Sequence, residues 1–399
     1  MKRRIDAALL RWLLALSLLC ALVAVRADAA RALLTDGRTV SGVVTAADED
    51  SITIGRRRLT LGQLVSVDWG VKANAEAFEE RVIFRNGDRV SGKIGTAGTA
   101  VKQVRQDTGH GPFVWHAPAV SKLVFDWSES TQKRAAENVA VGAYPMQGEG
   151  APGDRLLVNA TTVRVTSQVF GRKEFARGRL AFVALTAGLR TIFPHRKPYV
   201  RVLTQNGDVL SGTMDTLADG VLHLKLHFYT FPAATVRLPL RTVSRLIVLN
   251  GAATYLSDLA PYRERNVPYL FRCTEPARVD STFSGGPIEL GRTVFSKGLC
   301  TRARTELTYR VDRTYRAFQA TVGVDAGGPA APVRFLVYAE QVKGKPLFDS
   351  GDVPSPKARA VKVQVGVANV SRLVLVTDFG AKGDAGAWGV WAGARLIRK

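Results

Sequence analysis

The stretch Ala387-Trp388-Gly389-Val390-Trp391-Ala392-Gly393-Ala394-Arg395-Leu396 decides the fold, read together with Lys297-Gly298-Leu299-Cys300 and Tyr255-Leu256-Ser257-Asp258-Leu259 before it. Between these segments, short β-branched or aromatic runs follow one another: Gly291–Val294, Thr305–Val311, Ala317–Gly323, Val333–Ala339, Ala360–Val365, Leu373–Asp378 and Ala392–Ile397. Gly, Pro, Asp or Lys punctuates them, as in Gly327-Gly328-Pro329 and Phe348-Asp349-Ser350-Gly351. Many short strands with turn signals between them argue an antiparallel β-sandwich. The rest of the chain then reads as the frame that displays it.

At 399 residues the chain is too long for one small core, and 46% hydrophobic with 23% charged residues is ordinary for a folded protein. Lys and Arg number 56 against 34 Asp and Glu, a net charge of +22 that favours polyanions. The N-terminus reads as a targeting segment. Lys2, Arg3 and Arg4 form a positive start, Leu13 to Val25 an apolar core, and Ala27-Asp28-Ala29 a small-x-small cleavage pattern. The mature protein is therefore expected to be exported to the periplasm, the cell surface or beyond, with no membrane span after cleavage. Export removes intracellular nucleic acid as the partner of the positive charge. It also permits a disulfide between Cys273 and Cys300, worth roughly 3 to 4 kcal/mol if formed; two buried thiols are the alternative.

Following residue 29 one pattern recurs. Thr35-Asp36-Gly37-Arg38-Thr39-Val40-Ser41-Gly42, Arg85-Asn86-Gly87-Asp88-Arg89-Val90-Ser91-Gly92 and Gln205-Asn206-Gly207-Asp208-Val209-Leu210-Ser211-Gly212 each place an Asx-Gly turn between β-rich runs. The second glycine, inside a strand, suits a sharp bend of a short strand. Each copy closes on an apolar strand, with Asp68-Trp69 and Asp126-Trp127 ending the first two. These units are similar to SH3-like or Sm-like small barrels. The predicted organisation is a signal peptide at 1–29, barrel repeats at 30–70, 80–127 and 198–250, a helix and linker at 128–150, a degenerate repeat at 151–193 and the sandwich at 255–399. A helix is predicted over Val71 to Arg81, and another from Ser128 to Val141; Pro145 to Gly153 reads as a loop. The repeats offer a scaffold through which a protein partner can dock, and their turns lack the aromatic-plus-basic signature of RNA readers.

The motifs of the C-terminal third, Tyr255-Leu256-Ser257-Asp258-Leu259, Gly285-Gly286-Pro287-Ile288-Glu289-Leu290-Gly291, Lys297-Gly298-Leu299, Thr321-Val322-Gly323-Val324-Asp325, Phe348-Asp349-Ser350-Gly351 and Trp391 to Leu396, together resemble the NPCBM/NEW2 domain. That resemblance implies a galactose-binding-like jelly roll over Tyr255 to Lys399, and a carbohydrate-binding role. The chain departs from the family after Lys-Gly-Leu, where Gly-x-His-Ala is usual and Cys300-Thr301-Arg302-Ala303 stands here. Arg302 thus replaces a histidine. It retains the capacity to bond a hydroxyl or to pair with the carboxylate of an acidic glycan.

A sugar offers a C–H face and a rim of hydroxyls, so its site needs an aromatic platform with a few fixed polar groups. The candidates are Trp388 and Trp391 for the platform, with core packing the competing role for Trp391, and Arg302, Asp325 and Asp384 for the polar contacts. No cofactor is implied. A structural calcium at Asp325 and Asp378 is a further option for this fold class, although no Asp-x-Asp run announces one. His223 and His227 lie in the alternating Val221-Leu222-His223-Leu224-Lys225-Leu226-His227, which reads as a strand without a metalloprotease glutamate. With no nucleophile elbow, P-loop or dinucleotide fingerprint, the expectation is a non-catalytic exported binder of cell-wall, surface or environmental glycan. The alternatives are an envelope scaffold whose sandwich binds protein or no ligand, and an accessory to a glycan-processing enzyme.

Overall fold

The computed structural model describes residues 29–71, 80–98, 103–136, 139–186, 197–226, 234–267, 275–291, 293–328, 331–381 and 388–399. Their strands pair antiparallel throughout, and the one α-helix among them is Glu129–Ala136. It starts where a cap was expected, with Gln132 N–H on the Ser128 carbonyl at 2.9 Å. Most of the helix predicted over Val71 to Arg81 lies outside the described residues, and Arg81 itself opens a strand, Arg81–Phe84. The chain packs as two compact units: the described residues of 1–123, 155–164 and 193–251, and those of 124–154, 165–192 and 252–399.

In the first unit the three Asx-Gly turns form the same hairpin. Gly37, Gly87 and Gly207 sit at φ 88°, 85° and 80°, the region a side chain disfavours. Each donates its N–H to the residue three back, Leu34, Phe84 or Thr204, at 3.0 to 3.1 Å. The second glycine also earns its place. A Cβ on Gly92 would lie 2.2 Å from the Asp107 carbonyl, and one on Gly212 2.3 Å from that of Lys225, so the sharply bent strands pass too close for any side chain. The copies pair edge to edge: Leu64–Asp68 of the first joins Val243–Leu249 of the third, with Leu246 opposite Val67.

The second unit contains the predicted sandwich. One sheet orders Arg278–Val279, Gly298–Arg302, Trp388–Arg398, Tyr315–Val324 and Val361–Gly366, with Ala253–Tyr255 also on Trp388–Arg398. The other orders Arg263–Asn266, Thr305–Arg310, Arg372–Phe379, Val333–Ala339 and Phe348–Val353. Alternating residues from both sheets, among them Leu299, Leu307, Phe318, Phe335, Leu375, Trp391 and Leu396, make one core. Gly298–Arg302 and Phe348–Val353 are strands beyond the runs that the sequence pattern predicts. The first is glycine-led and ends on the polar Thr301 and Arg302, and the second is broken by a register shift opposite Arg334 to Leu336. The same unit turns the expected loop after Pro145 into a short hairpin, with Ala143 opposite Ala151. No helix among the described residues is long and apolar enough to cross a membrane.

Two of the motifs are joined by a buried cation. Lys297 is 4% exposed and bonds both Asp258 of the Tyr255–Leu259 motif and, at 2.8 Å, Asp280 Oδ2. Asp280 Oδ1 also accepts the Gly298 N–H at 3.0 Å. The clamp fixes the entry segment and the 279–284 loop to the start of the Gly298–Arg302 strand.

Candidate functional site

The register between Gly298–Arg302 and Trp388–Arg398 sets Arg302 directly opposite Trp388 at one end of the sheet. Residues directly opposite on one face are within side-chain reach. The Arg302 guanidinium lies 5.2 Å from the Trp388 ring centroid and 5.1 Å from that of Phe283. The two rings are tilted at 54° with centroids 5.2 Å apart. Both distances are within cation–π range. Arg302 also donates from Nε (2.8 Å) and from one terminal nitrogen (2.7 Å) to Glu275 Oε2. Only part of its five-donor fork is used there, and the side chain is 29% exposed, so donors remain at the surface.

Loops complete the cluster. Asp325 is buried, bonds the Trp388 carbonyl through its own N–H at 3.0 Å and accepts the Gly327 N–H on Oδ1 at 3.2 Å. Burial raises its pKa, and the loop amides of Gly327 and Ala326 pull the other way. The 325–328 turn therefore lies against the indole. A Cβ on Gly328 would come within 2.7 Å of Trp388 Cδ2 and Cε3, and one on Gly327 within 2.3 Å of Ser284 Oγ. Behind the site, Phe283 packs on a small cluster of Ile288, Leu290, Cys300, Val390 and Ala392.

The structure thus gathers Arg302, Trp388 and Asp325, the last as a loop anchor rather than a surface ligand. Asp384 lies outside the described residues. Trp391 is a correction to the platform reading: it is fully buried, edge-on to Phe335 at 5.2 Å, with its indole N–H on Thr377 Oγ1 at 2.9 Å. Three residues in sequence would share a helix face, but on a strand they point to opposite sides. Of the pair expected either to form a disulfide or to stay as thiols, only Cys300 is among the described residues. Cys300 is a buried free thiol, 4.0 Å from Asp325 Oδ2, its pKa raised first by burial and then by that carboxylate; Cys273 lies outside the described residues. The Asp325 carboxylate is taken up by its own turn and Asp378 accepts the Phe379 N–H at 2.8 Å. Among the described residues no three His, Cys, Asp or Glu side chains gather to hold a metal.

Sequence reading missed Phe283 and Glu275. Phe283 stands two residues before Gly285-Gly286, where a loop aromatic is the available signal; the Glu275 partner has none, being 27 residues from Arg302 along the chain.

Residues 252–397 match the NPCBM/NEW2 domain. Among solved structures, the CBM51 module from Clostridium perfringens GH95 in complex with methyl-galactose is 26% identical, covering 36% of this chain and 99% of that one, with a TM-score of 0.32. The M60 catalytic domain with CBM51-1 and CBM51-2 from Clostridium perfringens ZmpB is 19% identical over 82% of this chain and 32% of that one, TM-score 0.33. The tandem CBM51 modules of Sp3GH98, a family 98 glycoside hydrolase from Streptococcus pneumoniae, are 12% identical over 69% and 92%, TM-score 0.32. No curated protein matches the chain.

Proposed function

We propose, from the premise that residues 252–397 are an NPCBM/NEW2 domain, that this chain is an exported, non-catalytic binder of carbohydrate, and that it reads acidic glycans through Arg302. The observation that carries the reading is the stack of Phe283, Arg302 and Trp388 with Glu275 on the same guanidinium.

Arg302 is held in place by two rings and a carboxylate, so its remaining N–H groups are preorganised rather than free to swing. A carboxylate or a pair of vicinal hydroxyls meets that fork in two parallel hydrogen bonds, and Glu275 accepts a hydroxyl from the same sugar. The exposed edges of Phe283 and Trp388 supply the apolar contact a C–H face needs. Because a cation already occupies the aromatic faces, recognition is polar-first, unlike a bare tryptophan shelf. With Glu275 already pairing Arg302, an acidic sugar is favoured over a neutral one by a second cation beside the site, Arg278, which stands 5.9 Å from the Phe283 centroid.

The test is a glycan array on the full chain, carrying neutral and uronic-acid-containing glycans, with Arg302→Ala and Trp388→Ala in parallel. Binding to acidic glycans that both substitutions reduce is the expected result. Silence across the array, with the chain folded, would sink the reading.

A further inference from the structure

The three hairpin copies of the first unit are equivalent residue by residue, but their outer faces are not equally covered. In the second and third copies the faces close on each other reciprocally. Arg81 donates to the Asn206 carbonyl at 3.1 Å and lies 3.8 Å from Asp208 Oδ1. In return Arg201 donates to the Asn86 carbonyl at 3.0 Å and pairs with Asp88 Oδ1 at 2.9 Å. Asp208 Oδ1 accepts the Ser91 N–H at 2.6 Å, and Asp88 Oδ1 accepts the Ser211 hydroxyl at 3.0 Å. Both aspartates are fully buried. The arrangement is a local two-fold in which each copy contributes an arginine, a turn carbonyl, a turn carboxylate and a serine.

The first copy has the same parts at the same register. Arg31 faces Ser41 as Arg81 faces Ser91 and Arg201 faces Ser211. Here, though, Arg31, Asp36, Arg38, Thr39 and Ser41 are all exposed, whereas Arg81, Asp88, Ser91, Arg201, Asp208 and Ser211 are all buried. One member of the set is also changed in sign. Arg38, 79% exposed, stands where the other copies have Asp88 and Asp208. Arg56 and Arg57, with Thr39, Val40, Ser41, Ile54 and Gly55, line a shallow groove beside it.

We propose that this face is the docking surface for a partner protein that presents an acidic β-turn, seated as the second and third copies seat on each other. Arg31 and the Ser41 N–H receive one partner carboxylate, as Arg81 and Ser91 receive Asp208. Arg38, exposed and paired at 2.7 Å with Asp36 of its own turn, is open to a second carboxylate, from the partner, where the internal pair uses an arginine. A second copy of the chain does not satisfy it, because Arg31 of each would meet Arg38 of the other. The inference does not depend on the glycan reading.

A charge-reversed copy of the full chain serves as the acidic probe. The double variant R31E/R38D carries carboxylates at both positions, so its face complements the wild-type face and repels itself. Sedimentation velocity of an equimolar mixture is expected to show a 1:1 complex, with wild type and variant each monomeric alone. The complex should weaken roughly tenfold or more from low to high salt, as exposed charges are screened. The single variant R38D restores the turn carboxylate that Asp88 and Asp208 supply in the other two copies and is expected to self-associate; adding R31A should abolish that. A monomeric mixture together with monomeric R38D, both folded by circular dichroism, would overturn the proposal, as would wild-type dimerisation lost on R31A. If polygalacturonate instead binds wild type and loses R31A/R38A while the mixture stays monomeric, the face reads a polyanion and the protein-docking proposal is wrong.

Discussion

Trp391 donates its indole N–H to Thr377 Oγ1, 2.9 Å away on the opposite sheet, and Thr377 shares a 2.6 Å hydrogen bond with Thr301. Thr301 in turn reaches the Gly389 carbonyl at 3.3 Å. This relay crosses the sandwich inside the apolar core, and every polar atom in it has a partner. Trp391→Phe keeps most of the volume but leaves Thr377 short of a donor, so unfolding free energy should fall by about 1–3 kcal/mol. Trp391→Ala should cost about 3–5 kcal/mol through the cavity. Urea unfolding of the full chain, followed by core fluorescence and circular dichroism, checks both.

The Lys297 clamp should behave as a buried ion pair. Lys297→Met strands the Asp280 carboxylate, 8% exposed, and is expected to destabilise the sandwich by about 3–5 kcal/mol. Adding Asp280→Asn should recover part of that loss, since the stranded charge is then gone. A double variant no more stable than the single one would show that packing, not charge, sets the effect.

At the proposed glycan site, Arg302→Lys retains the charge but loses the fork and the ring stacking. Affinity for an acidic glycan should drop at least roughly tenfold, about 1.4 kcal/mol, with thermal stability little changed. Isothermal titration separates this from a folding defect. Equal affinity in the lysine variant would mean that charge alone is read.

Asp325 carries a pH signature. Its folded pKa is raised above the unfolded value, chiefly by burial. The neutral acid therefore belongs to the stable fold, so the contribution is fully present below the ordinary aspartate pKa and is lost as pH rises through the elevated folded value. Asp325→Asn should flatten this dependence, leaving the variant less penalised than wild type above that window. Chemical unfolding at a series of pH values across the acid range reads it out.

In the first unit, Asp208→Asn is expected to be severe, about 3–5 kcal/mol, because Arg81 is buried beside it and its pKa is already lowered to about 10, mainly by desolvation. Asp36→Asn, at the exposed turn of the first copy, should stay within about 0.5 kcal/mol. Thermal denaturation of the pair tests whether equivalent turns have diverged in what they support.

Much of this architecture was legible in the chain. The Asx-Gly turns announced their hairpins because few residues accept positive φ, and the motifs around Lys297-Gly298-Leu299 announced the sandwich. What escaped was set by distance along the chain. Asp88 and Asp208 look like solvated turn residues, and only their reciprocal contacts, more than 110 residues apart, bury them. Trp388 and Trp391 look interchangeable until the strand assigns them to opposite faces. The constant spacing of Arg31, Arg81 and Arg201 ahead of their turns was the available trace of the inter-copy pairing.

Cys300 gives the folded domain a built-in reporter. Its thiol is sealed behind Phe283 among apolar side chains and held protonated, so it neither ionises nor meets reagents while the strand beneath Arg302 stays paired. Alkylation of that sulfur, located by peptide mass mapping, therefore times the opening of this one edge of the sandwich. Ligand occupancy at the surface can then be followed from the inside, as a slowing of thiol exposure, without labelling the site itself.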